Sequence, residues 1–226
     1  MPDSPLQLIT TGDGSPSLYH TELDETYHSR RGAVTESDYV FIQRGLVPAT
    51  EVSDPVRVFE VGFGTGLNAL LTLRYAEEHQ QAVVYHTIEL YPLAPSLWQA
   101  LTFPPPLDQP TDRQWFRQLH ESPWGQALLL TPHFTFQKIE GDIHTYPSAT
   151  AAYDVVYFDA FAPQKQPDCW QPDVFHRLYT MLRADGALIT YCAQGAFRRT
   201  LQATGFKVEK LPGPPGKREM VRAWKV

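Results

Sequence analysis

The stretch from Val56 to Leu71, VRVFEVGFGTGLNALL, admits few folds. An apolar run of β-branched and aromatic residues leads directly into glycines at 62, 64 and 66, and then into leucines at helical spacing. Strand, tight turn and helix in that order open a βαβ unit, whose strands pair in parallel and are buried on both faces. From Pro55 onward the alternation continues. Strands are predicted over 56–61, 83–89, 134–139, 153–159 and 187–192, with helices after the glycine loop and near 94–103, 111–121, 172–183 and 195–203. The last two apolar runs, GFKVEKLP and REMVRAWKV, are separated only by GPPGK, too short for a crossover helix. They are therefore predicted to pair antiparallel. The result is a doubly wound α/β sheet of seven strands, five parallel and closed by a hairpin, unlike the all-parallel dinucleotide-binding sheet.

Residues 1–50 read differently, as two short strands and a helix forming a small N-terminal lobe packed on a core of residues 51–226. Thr35 and Asp38 suggest a variant capping box ahead of Tyr39, Val40, Ile42 and Leu46, with Gly45 near the helix stop. At 226 residues, 42% hydrophobic and 19% charged, the chain has enough apolar mass for a substantial core. No apolar run approaches the roughly 20 residues of a membrane span. The start carries no basic segment followed by an apolar one, so a cytoplasmic protein without membrane contact is expected. Cys169 and Cys192 lack metal-ligand spacing, and both are read as free thiols, with no metal expected. FPPPLDQP, 103–110, is read as a rigid loop. Charge is unevenly distributed. From Ala196 on there are eight basic and two acidic residues, a balance of +6 within a chain of −6 overall, so the first 195 residues carry −12. A basic segment on an acidic body is compatible with a polyanionic partner gripped locally, and equally with a solvated surface.

The chemistry is expected at the strand ends. GxGxG is not the GxGxxG of dinucleotide binders, and Glu60 before it would repel a pyrophosphate but suit a cationic aminoacyl group. S-adenosylmethionine carries such a group and no phosphate. Glu89, about twenty residues on, is placed to accept hydrogen bonds from ribose hydroxyls. Asp142 and the Ile143 backbone are placed to meet an adenine. After the fourth strand, Asp159 can accept a proton from an amine or hold it in line, and Phe161 can stack on a base or wall the site. Lys165 either binds phosphate or is simply solvated.

DGSPSLYHTELDETYHSRRGAVTESDYVFIQRGL, FEVGFGTGLN, FDAFAPQKQPDCW and PGPPGKREMVRA resemble the methyltransferase half of the bifunctional tRNA wobble-uridine modification enzymes, the MnmC family, which also occurs alone as MnmD. The resemblance runs over nearly the whole chain. It implies the class I, Rossmann-like S-adenosylmethionine-dependent methyltransferase fold. It also implies methylation of the primary amine of 5-aminomethyl-(2-thio)uridine at the tRNA wobble position, with Asp159 catalytic or amine-positioning. Glu60, Gly62, Gly64, Gly66, Asn68, Glu89, Asp142, Ile143 and Asp159 become cofactor residues on this view. The bifunctional relatives carry an FAD-dependent oxidase half. Because the sequence stops at Val226, it looks like the stand-alone type, with no FAD, its amine made elsewhere and no obligate protein partner. Tyr27 and His28, with Ser29 and Gly32, are expected to wall the site beside Phe161 and Lys165. Lys217 and Arg218, with Arg30, Arg31, Arg198 and Arg199, are expected on anticodon stem-loop phosphates.

Two other readings keep the fold. A small-molecule amine or polyamine transferase would need several carboxylates around DAFAP, for which Asp159, Asp168 and Asp173 are candidates. A cofactor-binding scaffold without catalysis would lack the strand-end acids, which are present.

Overall fold

The computed structural model describes residues 5–147 and 149–226. A three-stranded antiparallel sheet comes first: β1 (Leu6–Thr10), β2 (Pro16–His20) and β3 (Glu25–Thr26). One continuous helical run follows, α1 (Ala33–Ser37), a wider π-helical stretch over Asp38–Leu46, and α2 (Val47–Thr50). The main sheet then begins with β4 (Val56–Val61), α3 (Leu67–His79) and β5 (Val83–Glu89). Next come α4 (Pro95–Trp98), α5 (Pro110–Glu121), β6 (Leu128–Thr131) and β7 (Phe134–Glu140). The chain closes with β8 (Tyr153–Phe158), α6 (Pro172–Met181), β9 (Leu182–Thr190), α7 (Gly195–Thr204), β10 (Phe206–Pro212) and β11 (Glu219–Lys225).

The strand order is β10-β11-β9-β8-β4-β5-β7-β6. Strands β9, β8, β4, β5 and β7 are parallel, and β10 and β11 form the antiparallel closing hairpin. The order reverses between β5 and β8 on either side of β4, and ligands of open α/β sheets bind beyond the strand ends at that point. The central strands β4 and β8 are buried almost throughout, as strands covered on both faces must be. One core packs between the sheet, α3 and the π-helical run, through Phe41, Leu46, Leu70, Tyr85 and Tyr157; a second lies on the other face under α6 and α7.

Several expectations are corrected. The sheet has eight strands, because Leu128–Thr131 adds an antiparallel edge to β7 through a short turn. The helix expected over 94–103 is one turn long; the prolines from 104 onward disfavour helix in the residue before them, and the chain turns away as a loop. Helix α6 stops at Met181, where Leu182 turns extended and starts β9 five residues earlier than expected. The Thr35–Asp38 box does not form. The helix already begins at Ala33, and Thr35 instead gives its backbone N–H and hydroxyl to Asp13, both at 2.9 Å. The cap therefore comes from the β1–β2 turn. Burial alone would raise the Asp13 pKa, but the hydrogen bonds from Thr35, Thr11 and Ser15 hold it down at about 2. Nor does Gly45 stop the helix: it lies inside the run, where a Cβ would press on Ile189 and Tyr157 at 3.1 and 3.2 Å. Among the described residues, no helix is long and apolar enough to cross a membrane.

Candidate active site

A cavity of about 610 Å³ opens at the switch point. Its floor comes from the ends of four parallel strands: Val61–Gly64 after β4, Ile88–Leu93 after β5, Gly141–Ile143 after β7 and Asp159–Phe161 after β8. The glycine loop works because its backbone is left-handed where it must be. Gly62 has φ 94° and stands so close to the next loop that a Cβ would lie 3.1 Å from the Asp159 carbonyl oxygen. Gly66, at φ 76°, caps α3 and does not line the cavity.

Of the expected cofactor residues, Gly62, Gly64, Asn68, Glu89, Asp142, Ile143 and Asp159 all line this cavity. Glu89 accepts the Gly64 and Tyr91 backbone N–H groups at 2.9 and 2.8 Å, one on each oxygen, which fixes the carboxylate at the rim. Burial raises its pKa against those hydrogen bonds. Asp142 takes the His144 N–H at 2.9 Å. Glu60 differs from the rest, being 0% exposed and absent from the cavity wall. Its expected pairing with a ligand's ammonium is not what the geometry provides. Asn68 stands between, donating from Nδ2 to Glu60 Oε1 at 3.0 Å and to Asp159 Oδ2 at 2.8 Å.

Asp159 keeps partial exposure to the cavity. Burial pushes its pKa up to about 7, with Asn68 and Lys217 opposing and Glu36 reinforcing. A carboxyl so poised exchanges protons near neutral pH, as a general base requires. Opposite stands an aromatic corner: Tyr27 and Phe161 meet edge to face at 5.0 Å, and His20 adds a second edge contact to Phe161 at 6.3 Å. Phe161 is held by its own backbone, its N–H on Gln166 Oε1 and its carbonyl on Trp170 Nε1–H. Tyr27 also covers the glycine loop, 3.2 Å from where a Gly64 Cβ would be. Lys165 lines the cavity and reaches Asp24 at 3.8 Å, across from the β2–β3 turn.

His28 lines the cavity but is 8% exposed, and both its ring nitrogens face protein hydroxyls. Nδ1 lies 3.2 Å from Ser17 Oγ and Nε2 lies 3.4 Å from Thr65 Oγ1, which ties the N-terminal sheet to the glycine loop. Burial lowers its pKa to about 4 despite Glu36 and Asp13. His120, which sequence reasoning missed, holds the same Thr65 from the other side. Its Nε2–H donates to the Thr65 carbonyl at 3.0 Å while the ring stacks on Trp98 at 4.7 Å. Buried Lys138 donates to the His120 carbonyl. No sequence motif marks this buttress.

Lys217 and Arg218 part company. Lys217 turns inward to Glu36 Oε1 at 2.6 Å and lies 3.8 Å over the Tyr191 ring, so its expected phosphate contact is not available without breaking that pair. Arg218 is exposed. The Arg31 side chain packs over Gly216, which brings Arg31 and the hairpin loop together from opposite ends of the chain.

The chain matches, over residues 117–226, a family described as S-adenosyl-L-methionine-dependent methyltransferase. It is 31% identical over 223 residues to the tRNA 5-methylaminomethyl-2-thiouridine biosynthesis bifunctional protein MnmC of Chromobacterium violaceum, covering 94% of this chain and 33% of that protein. To the protein of the same name from Cupriavidus necator it is 32% identical over 232 residues, covering 97% and 34%. The chain thus spans about a third of the length of these curated relatives. The crystal structure of MnmC2 from Aquifex aeolicus superimposes with a TM-score of 0.83 at 23% identity, over 100% of this chain and 71% of that one. Spermidine synthase from Thermotoga maritima superimposes at 0.57 and 13% identity, over 98% and 69%. Both share the fold. The chain is thus similar over its C-terminal part to the S-adenosyl-L-methionine-dependent methyltransferase family, and over most of its length to the MnmC proteins.

Proposed function

We propose that this chain is an S-adenosyl-L-methionine-dependent methyltransferase that methylates the primary amine of 5-aminomethyl-(2-thio)uridine at the wobble position of tRNA, giving the methylaminomethyl form. The observation that carries the reading is Asp159: a carboxyl poised near neutrality, in one cavity with the glycine loop and facing the Tyr27–Phe161 corner. The relatives are named for 5-methylaminomethyl-2-thiouridine biosynthesis on tRNA.

The residues fit the cofactor. Glycines at 62 and 64 leave bare backbone where a ligand can lie, Glu89 presents a carboxylate to ribose hydroxyls, and Ile143 and Ile88 supply apolar wall for an adenine. When bound, S-adenosylmethionine supplies an electrophilic methyl on a sulfonium. Asp159 would take a proton from the substrate ammonium, freeing the nitrogen lone pair to accept the methyl group, with S-adenosylhomocysteine as the leaving group. Once Asp159 has passed that proton to solvent, its carboxylate would hold the methylated, cationic nitrogen and accept its second proton. Phe161 stacks on the extruded uracil, as single-stranded base recognition generally uses aromatic faces, and Tyr27 limits how far it enters. In this reading residues 1–50 act as a lobe covering the site. Exposed Arg30, Arg31, Arg199 and Arg218, with Arg198, meet the anticodon stem-loop phosphates, and Lys165 exchanges Asp24 for a phosphate.

The polyamine alternative finds less support. Asp168 and Asp173 do not line the cavity, and Asp173 is taken by His144 at 2.9 Å. The test is transfer of labelled methyl from S-adenosylmethionine to tRNA from a strain lacking the modification, followed by nucleoside analysis. Label in 5-methylaminomethyl-(2-thio)uridine is expected. Label on polyamines but not on tRNA would replace this reading with the small-amine one.

A further inference from the structure

Glu60 is the strand-end acid that does not line the cavity. It sits on β4, 0% exposed, and the neighbours that face it come from three elements. From β5 come Tyr85 and Thr87, whose hydroxyls influence Glu60 yet make no hydrogen bond of ordinary geometry. From β8 and its end come Tyr157 and Asp159, and from α3 comes Asn68. No ion pair to Glu60 is found among the described residues. Glu60 Oε2, Tyr85 Oη and Thr87 Oγ1 are all buried without partners. Beyond Asn68, the charged groups acting on Asp159 are Glu36 and Lys217.

A carboxylate in such a place is shut off from bulk solvent and has no ion pair among the described residues, the arrangement proteins avoid most strongly. A carboxylic acid does better, because it buries no net charge and can still donate its O–H to one neighbouring hydroxyl oxygen while accepting from another. A second constraint comes from Asn68, which spends both Nδ2 hydrogens on carboxyls and so links a dry acid to one facing the cavity.

We propose that Glu60 is an uncharged carboxylic acid in the working protein and a positioning residue: its proton sits on Oε2, its Oε1 fixes the Asn68 amide, and that amide aims Asp159. Of the two linked carboxyls, Asp159 alone then presents negative charge toward the amine. Burial, which pushes Glu60 up to about 8 with Asp159 adding to it and Thr87, Asn68 and Tyr85 opposing, agrees with this. The part concerning Asp159 rests on the methyl-transfer reading. The protonation of Glu60 does not, and the measurements keep the two apart.

The first measurement is unfolding of the wild type and Glu60→Gln as a function of pH, without cofactor. Glu60 would hold its proton in the folded chain up to about 8 but lose it at an ordinary 4.5 when unfolded. The stability that proton confers is complete below 4.5 and is lost as pH rises through 8. Gln carries no such proton, so across that window the wild-type folding equilibrium should fall relative to Glu60→Gln by up to about tenfold per pH unit. Parallel curves would overturn the proposal. Should the variant fold poorly, wild-type protein carrying carbon-13 at its glutamate carboxyls answers the same question. One resonance should stay protonated to near the upper end of the window and remain still when S-adenosylmethionine is added, unlike that of cavity-lining Glu89. If none does, the proposal falls.

The second measurement is the pH profile of methyl transfer for Asn68→Ala. Loss of the amide should move the acidic limb, set by Asp159, upward by about half a pH unit or more. It should lower kcat more than it raises KM. An unmoved limb overturns the positioning role. Absence of any methyl transfer by the wild type would instead count against the functional reading, with the Glu60 titration still deciding the rest.

Discussion

On the sheet side of the cavity, Gly62, Glu89, Ile143 and Asp159 are delivered by backbone alone, each at the end of a parallel strand. On the lobe side, placement depends on side-chain pairs between distant segments. Lys217 meets Glu36 across 181 residues, His28 meets Thr65 across 37, and Arg31 packs on Gly216. The first wall is fixed by topology and tolerates sequence change outside the strand ends. The second depends on a few polar pairs, and residues that look like ligand contacts there are held by protein partners. Chemistry should therefore be lost by substitutions on the sheet side, and stability or RNA affinity by substitutions on the lobe side.

The largest effect should come from Asp159→Asn. Losing the proton acceptor is expected to lower turnover about 10²–10⁴-fold, while S-adenosylmethionine affinity, measured by calorimetry, stays within a few-fold. Near-normal turnover would move the chemistry off the sheet wall.

How much of each wall the sequence reveals follows from the same distinction. Strand–glycine–helix order and the spacing of Glu60, Glu89, Asp142 and Asp159 are local patterns, and local patterns set a parallel sheet and its strand ends. The eighth strand was not legible, because LLLT is too short to stand out from its loop. Asp13 as the cap of α1 was invisible for a different reason: it lies 22 residues from Thr35, and only the folded β1–β2 turn brings it there. His120 and Lys138 carry no motif, since a buttress needs only a donor behind the loop. Glu60 looks like a ligand contact in the sequence because its position along the chain is right, but the Asn68 side chain stands between it and Asp159.

A pH test sharpens the comparison. His28 and His120 clamp Thr65 from the two sides, and burial lowers both to about 4 from an ordinary 6.5. A lowered histidine favours the neutral folded form, so its contribution is complete above 6.5 and is lost as pH falls through 4. The limit is about 3 kcal/mol for each. Thermal unfolding between those pH values should be distinctly flatter in His28→Gln than in wild type. Identical slopes would mean that the histidine does not titrate on unfolding and that the lobe is held by other means.

Lys217→Met comes next. It leaves Glu36, 8% exposed, with its Ser29 hydrogen bond but without its cation. Stranding a mostly buried carboxylate costs about 1–3 kcal/mol. Urea denaturation should show that loss, and Glu36→Gln added to Lys217→Met should recover most of it. If the single variant is neutral to folding and instead weakens tRNA binding, Lys217 serves the RNA and the inward pair is incidental.

The smallest effect is expected for Arg218→Glu, next door in the same loop. Arg218 is exposed, so the reversal should leave the unfolding midpoint and S-adenosylmethionine affinity unchanged. Loss of one phosphate contact should weaken tRNA binding several-fold at low salt and make the plot of log affinity against log salt shallower by about 0.7–0.9. The neighbouring positions 217 and 218 would thus separate, one reporting on folding and the other on RNA. That separation is what a wall made of individual side-chain pairs implies, since its residues need share nothing but the loop that carries them. A common loss of stability at both positions would show that the loop is a single structural unit and that the RNA is held elsewhere.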